Sequence, residues 1–469
     1  MKKNEKPKWP QPWKPEPYMK KSVKWLLAHS YAGLFLDPGL RKTSITLAAI
    51  TILLEQGLIE SVLVVAPRRV CYDVWPKEIK KWTDFNHLTY TVLHGKDKDT
   101  DFHQKVNIQI INPEGLKWYF RMRKIHRTQF PDMLVVDEST KFRNTNSNRF
   151  NSIKPYLNKF SRRLILTGSP APKNYIDLFG QIYILDGGRA LGSYVTTYRA
   201  NFFTSSGFMG YTYELNEKAD KEIHKLIKPY ILRLAREDYV KLPKLIDVDI
   251  EIKMPFDAWN IYQEMEEDFV SELKSGTITA ANAGVKSQKL RQIASGGCYF
   301  INSRNKRVVE HIHDEKTEAL YDLIEELSGK PALVGYQFDH ELERIFKMFK
   351  LKSKDAPVIN SDTSDKRAIF LEEEWNKGNL PYLFAHPQSI AWGMNMQEAG
   401  NAVIWYTTPW DLEMYTQYIQ RIHRPGVTGK VFNYHIMAEG TIDYAVRHAL
   451  ERKARSQSEL LQALKSYYF

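Results

Sequence analysis

The chain has 469 residues, 43% of them hydrophobic and 26% charged, with 67 Lys and Arg against 55 Asp and Glu for a formal net charge of +12. This length is too great for one simple core and predicts two or three domains, while the composition excludes a fibrous or largely disordered chain. Its two cysteines, Cys71 and Cys298, exclude a disulfide framework and a zinc site built from thiolates alone, and point to a reducing, cytoplasmic compartment.

The basic excess suits a polyanionic partner but does not by itself demand one. Residues 1–15 are rich in Pro, Lys and Trp and predict an extended basic arm without the apolar segment of a secretory signal. The longest apolar run lies around Ile45 to Leu54 and is too short to cross a bilayer, so no membrane role is expected. Next along the chain, LFLDPGLRKTSITLAAI (34–50) reads as a buried strand, a tight turn and a helix start. VLVVAP (62–67), IQIIN (108–112), MLVVDE (133–138) and RLILTG (163–168) read as further buried strands with helical patterns between them. Near-continuous apolar strands alternating with helices predict a parallel sheet covered on both faces, with ligands beyond the carboxyl ends of its strands.

Charged helical segments then dominate residues 186–300, among them NEKADKEIHKLIKPYILRLARED (216–238), around one strand candidate, KLIDVDIEIKM (244–254). Strand–helix alternation resumes with ALVGY (332–336), PVIN (357–360), YLFAH (382–386), AVIWYT (402–407) and VFNYHIM (431–437). The expectation is an α/β protein of two parallel-sheet units joined by a helical middle region. Their bounds are placed at 16–245 and 246–469.

Four motifs carry chemistry, three of them at strand ends. In Gly39-Leu40-Arg41-Lys42-Thr43, turn N–H groups and the positive end of the following helix would cradle phosphate oxygens. Lys42 would reach the outer phosphates and the Thr43 hydroxyl would ligate Mg2+. Asp137 and Glu138 close an apolar strand. Asp137 would hold the metal through water and Glu138 would deprotonate an attacking water, the two tasks of an in-line phosphoryl transfer. Thr167, Gly168 and Ser169 end another strand with small groups able to relay the state of a terminal phosphate. Arg421 and Arg424 stand three apart, which on a helix puts both guanidinium groups on one face, able to clamp a polyphosphate. Each motif alone also fits an ordinary turn or a solvated pair.

In order, these motifs resemble those of superfamily two helicases, and within them the Swi/Snf-type DNA translocases, over about residues 16 to 455. PYMKKSVKWLL (17–27), VLVVAPRRVCYDVWPKEIKKW (62–82), DESTKFRN (137–144), ILRLAREDYVKLP (231–243) and KLRQIASGG (289–297) match further signatures, and SIAWGMNMQEAGNAVIWYTTPWDLEMYTQYIQRIHRPG (389–426) is the strongest stretch. LFGQIYILDGG (178–188), HDEKTEAL (313–320) and AHPQSIAWGMNMQ (385–397) look especially like compact members encoded by bacteriophages.

The resemblance implies two RecA-like lobes with ATP and Mg2+ between them. Gly39, Leu40, Arg41, Lys42, Thr43, Ser44, Asp137 and Glu138 would come from the first lobe and Gly393, Gln417, Arg421 and Arg424 from the second. Pro67, Arg68, Asn112, Lys141, Gln337 and Trp392 would face nucleic acid. It implies a DNA-stimulated ATPase moving on double-stranded DNA, branched or forked DNA included, in viral replication, recombination or repair. The expected state is a monomer in the host bacterial cytoplasm. A strand-separating DNA or RNA helicase is one alternative. The other is a non-catalytic DNA-binding protein whose nucleotide site is impaired by Arg41, which stands where the family has glycine. Met19 replaces a common adenine-reading glutamine, leaving ATP against GTP open, and Val427 replaces another glutamine. His311 and His313 lie two apart, but no matching ligands follow and no metal site is expected.

Overall fold

The computed structural model describes residues 9–168, 170–171, 174–206, 212–235, 238–239, 242–275, 280–302, 305–390, 394–424, 427 and 429–465. Its strands, in chain order, are β1 (Tyr31–Leu36), β2 (Val62–Val65), β3 (Tyr90–Val92), β4 (Ile108–Ile111), β5 (Met133–Asp137), β6 (Arg162–Thr167), β7 (Phe203–Ser206), β8 (Thr212–Leu215) and β9 (Ile231–Leu234). They continue as β10 (Leu245–Ile252), β11 (Gly297–Ile301), β12 (Arg307–His311), β13 (Ala332–Gly335), β14 (Val358–Ile359), β15 (Tyr382–Ala385), β16 (Ala402–Trp405) and β17 (Val431–Ala438). The chain divides into two compact units, Met1–Val240 with Arg455–Phe469 and Lys241–Ala454.

The first unit is built on a parallel sheet in the order β3-β4-β2-β5-β6-β1-β9. β2, β4 and β5 are buried along their whole length, as strands covered on both faces must be. Register sets the carboxyl ends of three strands side by side: Phe35 lies opposite Thr167 and Asp137 opposite Leu166. The helix Lys42–Glu55, which follows β1, buries Ile45, Leu47, Ala49 and Ile50 completely. A helix apolar on every side belongs inside a core, and this one carries the functional loop at its amino end.

The second unit has a parallel sheet in the order β10-β17-β16-β13-β15-β14. Its two faces hold separate cores, one around Tyr262, Leu320, Ile345 and Tyr406 and the other around Trp375, Trp405, Tyr418 and Ile422. The α/β architecture with two parallel sheets is therefore as expected.

Two departures concern the middle region. Its 216–238 segment is not helical throughout: the helix Ala219–Ile227 gives way at Pro229 to a short turn and then to β9, which pairs with β1. Proline removes a donor and ends the helix, and the apolar Ile231-Leu232 pair that follows completes the first sheet instead. Two antiparallel hairpins also belong to this stretch of chain, β7–β8 in the first unit and β11–β12 in the second, where the helices Phe256–Ser275 and Ala280–Ala294 precede it.

Candidate nucleotide site

β1 ends at Leu36 and the chain turns through Asp37 to Leu40, whose N–H donates to the Asp37 carbonyl at 3.2 Å. Arg41 occupies the left-handed region at φ 50° and ψ 41° and caps the following helix. Its carbonyl accepts from the Ser44 hydroxyl at 3.1 Å and from Ile45 N–H at 3.2 Å, the first bonds of that helix. The backbone thus takes the shape for which glycine is favoured, at a cost of about 1 kcal/mol, while the arginine side chain points to solvent. Lys42 is the first helical residue and its ammonium donates to the Leu36 carbonyl at 2.8 Å. Thr43 and the N–H groups of the first turn complete a donor set suited to phosphate, because first-turn amides have no carbonyl partner within their own helix.

Asp137 is the last residue of β5 and is buried. One carboxylate oxygen accepts from the Trp75 indole N–H at 3.0 Å and the other from the Glu138 N–H at 3.0 Å. Glu138 is itself left-handed, at φ 52° and ψ 59°. Burial pushes the Asp137 carboxyl above its usual range, opposed by the Trp75 indole, the Lys42 charge and the Glu138 amide. Burial also lowers the Lys42 ammonium, opposed by Glu138, Asp137 and Asp37 and reinforced by Arg233. A cation and two carboxylates therefore share one desolvated strand edge, the setting in which phosphate and a divalent ion gain most from fixed charges.

Three connections at this edge were not among the sequence candidates. Trp75 follows a π-helical turn, Val70–Val74, and reaches Asp137 across sixty-two positions of chain. Gln181 bridges two motifs: it accepts from the Ser139 hydroxyl at 2.7 Å and donates to the Pro170 carbonyl at 2.6 Å. Arg233 of β9 is buried, pairs with Asp37 at 2.7 Å and donates to the carbonyls of Phe35 and Leu234. Trp75 and Gln181 lie inside recognisable motifs, but no spacing rule reveals which distant partner each will meet.

Thr167 is fully buried at the end of β6. A Cβ on Gly168 would lie 2.7 Å from Pro38 Cδ, so this motif packs directly against the turn that carries Lys42 and only glycine fits. Ser169 lies outside the described residues. Beyond β2 and β4, Pro67 is buried, Arg68 is exposed, and Arg68 and Asn112 line one small pocket with Cys71, Tyr72 and His94. Lys141 sits in the short turn Ser139–Phe142 that follows Glu138.

In the second unit, Gln417 lies in the helix Leu412–Ile419 and is buried. That helix ends before Arg421, so the two arginines do not share a helix face as their spacing predicts. They converge nevertheless: Arg421 Nη1 and Arg424 Nη2 both donate to the Met394 carbonyl, at 2.8 and 3.3 Å, and Arg424 Nη1 donates to Asn395 Oδ1 at 3.1 Å. The loop at 394–395 thus substitutes for the helix in aligning them. Gln337 follows β13, and its N–H donates to the buried Glu341 carboxylate at 2.8 Å. Trp392 and Gly393 lie outside the described residues.

The model of the SNF2-related domain matches residues 18–311, and that of the helicase conserved C-terminal domain matches residues 315–426. Protein p41 of Acyrthosiphon pisum secondary endosymbiont phage 1 is 31% identical, over 96% of this chain and 98% of its own length. The ISWI chromatin-remodeling complex ATPase ISW2 of Saccharomyces cerevisiae is 22% identical over 98% of this chain, which spans only 42% of that protein. Among solved structures, the Sulfolobus solfataricus SWI2/SNF2 ATPase core in complex with dsDNA is 20% identical, covers 96% of each chain and gives a TM-score of 0.43.

Proposed function

The chain belongs to the SNF2-related ATPases that carry a helicase C-terminal domain, and from that premise we propose that it couples ATP hydrolysis to movement along double-stranded DNA. Its setting would be the replication, recombination or repair of a viral genome, in the bacterial cytoplasm and as a monomer. The likeness to a phage protein over nearly the whole of both chains supports the viral setting. The observation that carries the reading is the left-handed backbone at Arg41, which gives this loop a glycine-like shape without a glycine and leaves Lys42 beside Asp137 and Glu138.

The donor set at this strand edge fits Mg2+-ATP. Lys42 and the first-turn amides would hold the outer phosphates, and Thr43 and Asp137 would hold the metal. Bound ATP supplies the phosphoanhydride that is cleaved, and the metal supplies countercharge. Glu138 would orient the attacking water and take its proton, and Arg421 and Arg424 would bind charge that develops on the leaving phosphates. Gln181, in contact with both the Asp-Glu and the Thr-Gly-Ser-Pro segments, would pass a change at one to the other. Arg68, Asn112, Lys141 and Gln337 would meet DNA chiefly at phosphate, giving binding that is independent of sequence and sensitive to salt.

Phosphate release with Mg2+-ATP, with and without duplex DNA, tests the reading in the wild-type chain and in Lys42→Ala and Arg41→Gly. Turnover stimulated by duplex DNA and abolished in Lys42→Ala is the expected result. Turnover confined to Arg41→Gly would replace it with the DNA-binding alternative.

A further inference from the structure

The middle region holds a β-ribbon that the proposed motor has not used. β11 and β12 form an antiparallel hairpin, with Tyr299 opposite Val309, Phe300 opposite Val308 and Ile301 opposite Arg307. An isolated two-stranded hairpin is marginal in water, so this one depends on its root. The root is closely fitted. Gly296 is left-handed, at φ +99°, and a Cβ there would lie 2.2 Å from the His313 carbonyl oxygen. Gln292 Oε1 accepts from Tyr299 N–H at 3.0 Å, and the Tyr299 hydroxyl accepts from His340 N–H at 3.1 Å. Arg307 stacks on the Tyr299 ring at 3.6 Å and stiffens the middle of the ribbon.

Beyond that root the ribbon exposes apolar side chains on both faces. Ile301 is 69% exposed, Phe300 43% and Val309 39%, an arrangement a buried ribbon would never leave open to water. Lys306 immediately precedes the return strand and Arg307 begins it, both exposed beside them. The root also joins the edge where Gln337 is expected to meet nucleic acid: His340, which donates to Tyr299, stands three residues beyond Gln337, and its ring stacks on Phe338.

The geometry points to a base-contacting pin: Phe300, Ile301 and Val309 on the β11–β12 ribbon engage nucleobases exposed at a DNA junction, with Lys306 and Arg307 on the flanking phosphates. An exposed ring and branched aliphatics beside cations match a base face next to a phosphate. Apolar side chains on a narrow element can enter an opened base step, which a fork or frayed end supplies at little cost. Two anionic strands attract the exposed Lys306 and Arg307 pair that flanks these apolar positions. The inference rests on the DNA-motor reading and adds to it a surface that distinguishes junction DNA from continuous duplex.

The test uses a forked DNA duplex with 2-aminopurine at the junction, mixed with the full chain in the absence of nucleotide. Wild-type protein is expected to raise the 2-aminopurine fluorescence as the base leaves its stack, and Phe300→Ser/Ile301→Ser to lose that rise. Both positions are solvent-exposed, so the variant folds, and a matching circular-dichroism melt verifies it. Lys306→Ala/Arg307→Ala is expected to make the plot of log affinity for the fork against log salt shallower by about 1 to 2 units, one for each phosphate contact removed. An unchanged salt slope, or a fluorescence rise that is absent in the wild type or equal in Phe300→Ser/Ile301→Ser, would overturn the pin. Duplex-stimulated phosphate release by the wild type judges the motor separately, because the junction signal needs no hydrolysis.

Discussion

The two units position their functional residues by different means. In the first, much of the work falls on the backbone: Arg41 and Glu138 are both left-handed, and the strand register sets their loops on either side of β6. In the second, it falls on buried polar side chains. Arg421 and Arg424 are aligned by carbonyl and amide oxygens of the 394–395 loop, and Glu341 holds the Gln337 turn. Three of the buried histidines of this unit are His313 against the Ile293 carbonyl, His340 against Arg344 and His435 against the Tyr415 hydroxyl. A geometry held by backbone shape tolerates a change of charge, whereas one held by buried side chains needs each of them in the right protonation state.

The largest expected effect follows from those histidines. Burial lowers His313 to about 4, and His340 and His435 to about 3 each. A histidine depressed in the folded state stabilises fully above its unfolded value near 6.5, and that contribution is lost as pH falls toward the folded value. Between those values the unfolded chain binds protons that the folded unit does not, so stability falls as pH drops below about 6, by up to about 1.4 kcal/mol per pH unit for each such histidine. Hydrogen exchange read by mass spectrometry, corrected for the intrinsic rate, should show protection falling faster in residues 245–450 than in residues 31–234 between pH 6.5 and 5. Equal losses in both units would break the contrast.

Next in size is Trp75→Phe, which removes a donor from a buried carboxylate at a cost of about 1 to 3 kcal/mol. Held at saturating ATP, kcat should drop, and the Mg2+ concentration needed for half-maximal turnover should rise as Asp137 loses its orientation. An unchanged Mg2+ dependence would make the indole a packing group only. The smallest effect sharpens the comparison from the backbone side. Arg41→Gly relieves a left-handed residue and should raise the melting temperature by about 2 to 4 °C at most, the equivalent of about 1 kcal/mol in a unit of this size. A lower melting temperature would mean that the arginine side chain contributes more than its backbone costs.

Most of the sheet framework was legible because parallel strands buried on both faces leave uninterrupted apolar runs: VLVV, IQII and MLVVD each became a strand where expected. The strand-end motifs were legible because phosphate chemistry needs particular residues at short spacing. β9 was hidden, since ILRL continues the apolar phase of the amphipathic helix before it and only the partner strand β1 decides its conformation. β3 is three residues long and too brief for alternation to register. The contacts of Trp75 with Asp137, Ser139 with Gln181 and Arg233 with Asp37 join residues from separate elements, and nothing local in the chain encodes such pairings.

The last of those pairs has a mechanical consequence. Arg233 lies on β9, the final strand before the chain runs on to β10, and its guanidinium grips Asp37 at the entrance of the turn that carries Lys42. More than the guanidinium joins that turn to β9: the Asp37 N–H also donates to the Leu234 carbonyl at 3.4 Å, and the two strands pair along Gly33–Leu36. The last strand of the first sheet and the turn ahead of Lys42 are therefore latched to each other, so that peeling β9 from β1 would unseat that turn.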